Sequence, residues 1–526
     1  MPSLAVSKAG SIGLVKDRED HTLPPEAWSE LKNMRCVDKS IKAFSGHTEL
    51  ASITGAPQTL TAVRSGLQTY FVYADDTQIH SFSAGTETDI SGYGYTSAGR
   101  WDSTILGGVA VLNNGYDNPQ YWGGAGLAQD LPYDSTDESN TCYWKDIPMT
   151  ARLIRSFKYH LFAMDITEPC MGRNRRRVWW SHPAEPGTVP ITWDINNADF
   201  DARDTELTET SGYILDALQL KDSLQIYLTD AIYSVTFTGR QDRQVFNFRN
   251  VTTSKGIYSR NCVCDVGGKH FLVSDGDIYL YDGTNFISIA DERVKETFFD
   301  NVNRTTYDKV FCAFYHKTQE VWLCYPEAGN LDCNKALVFN VEDNTWSQRD
   351  IPDSRCAVFA VVDRSSSYTW ATLPYATWGD WGTTPAVPQW TRWGEPLETA
   401  PIFDSLILGG DEKLWEMDSG NQANGSNLEC YARRTGVDLG DKADWHMVTT
   451  VYPKASGDAF QVRLGTLNIL DGSYSWGSYQ TFTPGTDYKL NFRTTGRLHA
   501  IEFYSNADVS WTLEGFEVDF APVGRR

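Results

Sequence analysis

The sequence predicts an all-β protein: a β-propeller of six to eight blades, with an irregular N-terminal arm before it and a small β-sandwich-like domain after it. Three observations lead there. Apolar runs paired across tight polar turns recur along most of the chain. Aromatic residues make up 13% of the 526 residues, with 18 Trp and 26 Tyr, a composition that suits pleated faces. Amphipathic helical periodicity is nearly absent, apart from a short stretch at 291–300.

The turns carry most of the argument. Tyr70 to Tyr73 precedes Asp75, Val109 to Leu112 precedes Asn113-Asn114-Gly115, and Leu161 to Met164 precedes Asp165. Leu224 to Leu228 precedes Asp230, Phe271 to Val273 precedes Asp275-Gly276, and Leu406 to Leu408 precedes Gly409-Gly410-Asp411. Asp, Asn and Gly tolerate the positive φ that tight hairpins require, so each site is expected to fold one strand back on the next. The signal recurs at roughly 40–65 residues, which overlaps the length of a four-stranded blade. Leu337 to Trp346, an apolar strand, an acidic turn and Thr-Trp, resembles a kelch-type blade strand. These signals divide the chain into an arm at 1–46, a propeller at 47–420 with a Trp-rich insertion at 366–400, and a C-terminal β domain at 421–526. The last begins with a linker-like Asn-Gln-Ala-Asn-Gly-Ser and shows strand alternation from His499 to Tyr504.

The formal net charge is -22, from 46 basic and 68 acidic residues. That balance argues against a general nucleic-acid binder, whose affinity comes from neutralising phosphates. The ten Cys are irregularly spaced, with no CxxC pair and no zinc pattern, and are expected to be free thiols of a protein folded in a reducing cytoplasm. The first ten residues lack an apolar signal core, and no stretch approaches a membrane span. No phosphate loop, GxSxG or HExxH occurs. Ser274-Asp275-Gly276-Asp277 reads as a hairpin turn and not as a calcium loop. The expectation is a non-enzyme with no cofactor and no metal. A pair of glycosidase carboxylates is not visible from sequence, so a carbohydrate-binding or carbohydrate-cleaving propeller stays as the alternative. A kelch-like interaction scaffold is a third reading.

Two groups of residues stand out as candidate contacts. Arg173, Arg175, Arg176 and Arg177 lie within five positions, as either a phosphate or subunit contact or a salt-bridged surface. Leu23 and Trp28 in the arm, with Trp378 and Trp381 in the insertion, are candidate assembly residues.

Four parts of the chain, in order, resemble the tail hub or nozzle proteins of short-tailed bacteriophages, the packaged-DNA stabilisation or tail tubular proteins of podoviruses. The opening Gly13-Leu14-Val15-Lys16-Asp17-Arg18, Leu23 to Ser29, Asn33-Met34-Arg35 and Ile41 to Phe44 are the first. Phe339 to Trp346 is the second, and the spaced Trp pattern from Ser367 to Trp381 is the third. Phe492-Arg493, Gly496-Arg497, Ile501-Glu502-Phe503 and Trp511 to Arg526 form the fourth. The resemblance implies a virion tail protein, made and assembled in the bacterial cytoplasm, that forms a homohexameric ring below portal and adaptor proteins. Such a ring extends the DNA channel, retains packaged genome, conducts the double-stranded DNA during ejection and meets tail fibres or a needle, with no membrane insertion of its own. An acidic or neutral bore is then expected, because basic walls would hold the DNA they must release.

Overall fold

A computed structural model describes residues 2–525 except 67, 98, 138, 170, 240–244, 363–402, 441–443 and 470–471. Among the described residues the chain is almost entirely β, with one α-helix, Lys295–Asn301, and three single turns of 3-10 helix.

The middle of the chain is a series of antiparallel four-strand units. Five are separate sheets, spanning residues 59–89, 102–130, 150–206, 214–252 and 263–288. A sixth, 311–354, is one end of a twelve-stranded sheet, and a seventh lies within a six-stranded sheet. In the first six units the strands pair in chain order. The seventh takes three strands from 356–417 and its fourth, His47–Ser52, from ahead of the first unit. First strands lie against first strands throughout: Thr59–Ser65 against Asp102–Leu106, that against Thr150–Phe157, and so on through Ile214–Leu220, Val263–Val266 and Phe311–Tyr315 to Cys356–Val362. Cys356–Val362 in turn lies against Thr59–Ser65.

The turn residues do local work that explains this regularity. Asp75 Oδ1 accepts the backbone N–H groups of Thr77 and Gln78, both at 2.7 Å. Asn114 Oδ1 does the same for Tyr116 and Asp117, at 3.0 and 2.8 Å. Gly276, at φ 83°, closes the two-residue turn between Ser274 and Asp277. Asp411 and Glu412 adopt φ 49° and 55° between Phe403–Gly410 and Lys413–Met417. All of these link the second strand of a unit to its third. Asp165 departs from expectation. It lies inside strand His160–Glu168 at φ 56°, where the register shifts between Met164 and Ile166, so it forms a bulge and the chain turns back only beyond Glu168. Its carboxylate is occupied by Arg173 across the bulge instead of by following N–H groups.

Residues 1–46, expected to be an irregular arm, form short strands. Ser3–Val6 pairs with the last strand, Trp511–Arg525. Glu30–Lys32 pairs with Glu429–Val437 on one side and meets Gln348 on the other. Met34–Val37 and Ser40–Ala43 form a hairpin whose second strand pairs with Thr512 and Leu513. These segments are too short to read as strands alone, but existing sheet edges satisfy their backbone groups. The linker-like segment also carries a short hairpin, Gln422–Ala423 with Ser426–Asn427, beside His47. The C-terminal strands form two sheets, and their apolar residues share one core with the fifth to seventh units. Phe460 stacks on Trp511 at 4.6 Å, and Phe503 packs on Phe516 at 5.3 Å. One sheet runs unbroken from the sixth unit through Glu30–Lys32 into this C-terminal region.

Four buried charges tie these parts together. Arg35 reaches Asp418 at 2.6 Å and Glu320 at 3.2 Å, and Arg349 reaches Asp418 at 2.7 Å. Arg349 also donates to the carbonyls of Ser45 and Gly46 and lies over the rings of Phe44 and Trp322, at 4.8 and 4.7 Å. Its side chain is fully buried. Burial alone would raise the Asp418 carboxyl, but the two guanidiniums outweigh it and hold it below its ordinary value. Replacing Arg349 with Met is expected to cost about 3–5 kcal/mol, because a buried carboxylate loses one of its partners. Urea unfolding of the variant, followed by Trp fluorescence, measures this; a loss under about 1 kcal/mol would mean that the cluster does not bear on stability.

Candidate functional site

The arginine segment lies on Gly172–Trp180, the third strand of the third unit. Each guanidinium has a distinct setting. Arg173 holds Asp165 through Nε at 2.7 Å and through a second, shorter bond. Arg176 donates to the Thr210 carbonyl at 2.7 Å and reaches Glu206 at 3.2 Å. Arg177 bridges Glu168 at 2.5 Å and Asp204 at 2.8 Å, and lies over Trp179. Arg175 is exposed, stacks over Tyr213 at 5.0 Å, and has no carboxylate partner among the described residues. Arg173, Arg175 and Arg176 line an open cavity of about 460 Å³ with Met171, Tyr213 and Glu206. Its far wall is the loop before the fourth unit. That loop is pinned by Asp230, whose carboxylate accepts Thr210 Oγ1 at 2.5 Å and the Gly212 N–H at 3.0 Å. A Cβ at Gly212 would lie 1.9 Å from Asp230 Oδ1, so this approach requires glycine.

The other candidate contacts are placed differently. Trp28, a candidate assembly residue, is buried against the C-terminal sheets of its own chain. Its Nε1 donates to the Ala9 carbonyl at 2.6 Å, and its ring meets Phe503 and Phe516 at 6.0 and 6.1 Å. Leu23 is also buried; it lines a small apolar cavity of about 100 Å³ with Leu464, His499 and Phe516, and its carbonyl accepts from Arg434 at 2.7 Å. Both residues therefore join the arm to its own chain. Trp378 and Trp381 lie outside the described residues.

Two features in the C-terminal region escaped sequence reading. A polar groove of about 850 Å³ runs past Thr450, Gln480, Asn491, Phe492 and Arg493. Nearby, Glu502 is buried under its own partners: Arg433 Nε at 2.5 Å, Arg463 Nε at 2.8 Å and the Tyr479 hydroxyl at 2.6 Å. Trp476 lies between Arg433 and Arg463, at 5.3 and 4.5 Å. Strand alternation around Glu502 was legible, but the partners come from three other segments and leave no joint pattern. Among the described residues no group of three or more His, Cys, Asp or Glu is placed to hold a metal ion. The nine described cysteines are free thiols.

No family model matches this sequence, and no curated protein does. Among similar solved structures, apo AztD from Citrobacter koseri is 9% identical over 57% of this chain and 74% of its own, with a TM-score of 0.33. The extracellular domain of a putative hybrid two-component system from B. thetaiotaomicron is 9% identical, with a TM-score of 0.37 and 89% of this chain aligned to 58% of that one. An exo-beta-1,3-galactanase from Phanerochaete chrysosporium with galactose is 9% identical over 91% of this chain and all of its own, with a TM-score of 0.25. Likenesses this distant carry no argument about fold or function.

Glu502 gives the region a pH dependence with a definite sign. Burial pushes its carboxyl up, but hydrogen bonds from Arg463, Tyr479 and Arg433 hold it below its ordinary value. Its contribution to stability is therefore complete above the unfolded-state pKa, about 4.3, and is lost as pH falls through the lower folded value. Glu502→Gln is expected to cost about 1–3 kcal/mol at neutral pH. The gap from wild type should close below about pH 4, measured by urea melts across the pH range. A gap constant down to about pH 3 would mean that the folded protein does not hold the Glu502 carboxyl below its ordinary value.

Proposed function

We propose that this chain is a seven-bladed β-propeller protein that acts as a structural subunit, of the tail hub or nozzle kind, in a closed ring of copies. The observation that carries this reading is where the family-like residues lie: the described ones concentrate where distant segments join. Gly13, at φ 78°, bridges to Trp346, and a Cβ there would lie 2.7 Å from the Trp346 carbonyl oxygen. Asp17 caps the Lys295–Asn301 helix through the N–H groups of Glu296 and Thr297, at 2.8 and 3.0 Å. Asn33 accepts the Asp350 N–H at 2.7 Å and donates to the Glu429 carbonyl at 2.8 Å. Arg35 and Phe44 belong to the buried charge cluster. Such residues make a rigid building block, which a ring under internal DNA pressure requires. The seven four-strand units, in contact through their first strands, support the propeller reading, as does the pairing of His47–Ser52 into the seventh unit, a strand from ahead of the first unit.

In this reading the ring is homohexameric, sits in the virion tail below portal and adaptor proteins, and passes double-stranded DNA through its bore. The chain's acidic balance supports passage over adhesion, since phosphates are repelled from acidic walls. Retention then rests on a narrow constriction or a plug. A second reading, a carbohydrate-binding propeller protein, is favoured by the groove at Thr450, Gln480, Asn491 and Arg493, where polar groups converge beside the Phe492 ring.

Negative-stain imaging of the purified full chain, with a glycan array run in parallel, separates the two. Closed rings with an open centre and no glycan bound are expected. A monomer that binds a defined glycan, and loses it on Asn491→Ala, would overturn the structural reading in favour of the second.

A further inference from the structure

We propose that the cavity beside Arg175 receives a carboxylate from a second copy of this chain, donated by the acidic corner around Asp353, Asp411 and Glu412. The inference rests on the ring reading above and names the contact that would close such a ring.

Among the described residues, one of the cavity's guanidiniums has no carboxylate partner. Four arginines, Arg173, Arg175, Arg176 and Arg177, face four carboxylates, Asp165, Glu168, Asp204 and Glu206. Three guanidiniums are consumed in those pairs. The fourth, Arg175, is held over Tyr213 at 5.0 Å, so its fork is partly preorganised, and it has no carboxylate partner among the described residues. Duplex DNA is a poor occupant. The patch has no net positive charge, and one free guanidinium releases few counterions. The lining instead carries side chains suited to a protein contact: Met171, 80% exposed, and the ring of Tyr213.

The complementary surface lies in the same chain. Asp411 and Glu412 form the exposed turn between the second and third strands of the seventh unit. Asp353 is exposed beside them, and its carboxyl is pushed up by partial burial and by Asp332 and Asp411. Asp332 is already satisfied by Lys309 and Arg355, at 2.8 and 2.9 Å, whereas Asp353, Asp411 and Glu412 have no cationic partner among the described residues. In the order of units, two lie between the fourth and the seventh, and two between the seventh and the third. The basic cavity, at the third and fourth units, and the acidic corner are thus on opposite sides. Two unlike surfaces on different sides of one chain form a head-to-tail contact and not a two-fold dimer, and such a contact makes a ring when the rotation between copies closes.

The test is a charge swap on the full chain, read by mass photometry over a dilution series. Arg175→Glu alone, and Asp353→Lys with Glu412→Lys, should each raise the concentration at which half the rings dissociate by about tenfold or more; combining all three should restore it to within about threefold. Arg175→Ala, at an exposed position, controls for folding by circular dichroism and should weaken assembly without changing the melting curve. Wild-type rings that survive either single-surface change, or a combined variant that does not recover, would overturn the contact and leave the ring reading standing. A wild type that stays monomeric at every concentration would overturn both. If Arg175→Glu leaves assembly intact but abolishes binding of a short DNA duplex, the cavity is a phosphate site and the proposal is wrong.

Discussion

Arg349 sits where three parts of the chain meet, and its charge cannot be buried there alone. It comes from the last strand of the sixth unit, its counter-ion Asp418 from just beyond the seventh, and Arg35 and Phe44 from the N-terminal segment. Glu320, on the second strand of the sixth unit, completes a set with no net charge. Desolvating these four groups is costly, and the cost is recovered only when all are present in one geometry. The cluster is therefore a registration device: it is satisfied by one arrangement of the arm, the sixth unit and the end of the seventh. The rest of the C-terminal structure depends on that arrangement, since Glu30–Lys32 lies between Gln348 and Glu429–Val437 only when the arm is correctly seated.

The same economy governs the surface. In a chain of -22, several of the described arginines are tied to carboxylates within hydrogen-bond reach, which reduces the positive charge they present. Arg433 and Arg463 are turned onto Glu502 and Trp476, and Arg155 onto Asp102 and Asp216. The last set lies on the first strands of the second, third and fourth units, so it stitches neighbouring units where they meet. A molecule arranged this way gains geometric precision from its charges while leaving few of them to bind polyanions.

The hairpins were legible because their cause is local. An Asp or Asn that accepts the N–H groups two and three residues on, or a Gly at positive φ, makes a turn wherever the neighbouring segments are apolar and extended. Asp75 and Asn114 accept in that way, Gly276 supplies a positive φ, and Asp411 and Glu412 adopt positive φ themselves. Asp165 has the same sequence flavour but a different outcome, because Arg173 across the strand pair competes for its carboxylate. The arginine segment was visible as composition, yet its character was not. Asp204 and Glu206 reach it through strand pairing, and Arg175, with no carboxylate partner among the described residues, lies over Tyr213 from the loop before the next unit.

The sequence by itself determined the β class, the run of turn-punctuated units, the acidic balance and the lack of a familiar catalytic motif. These follow from composition and from interactions spanning a few residues. Only the tertiary structure decided that the arm, irregular over much of its length, contributes short strands such as Ser3–Val6 and Glu30–Lys32 to existing sheets, that Leu23 and Trp28 are buried in their own chain, and that His47–Ser52 completes the seventh unit. A three- or four-residue strand has no periodicity to read, and its backbone groups are satisfied by edges that exist only once the rest has folded. The buried charge cluster is the extreme case. Arg35, Glu320, Arg349 and Asp418 look like ordinary surface residues in sequence, and their role arises from desolvation that no local window contains.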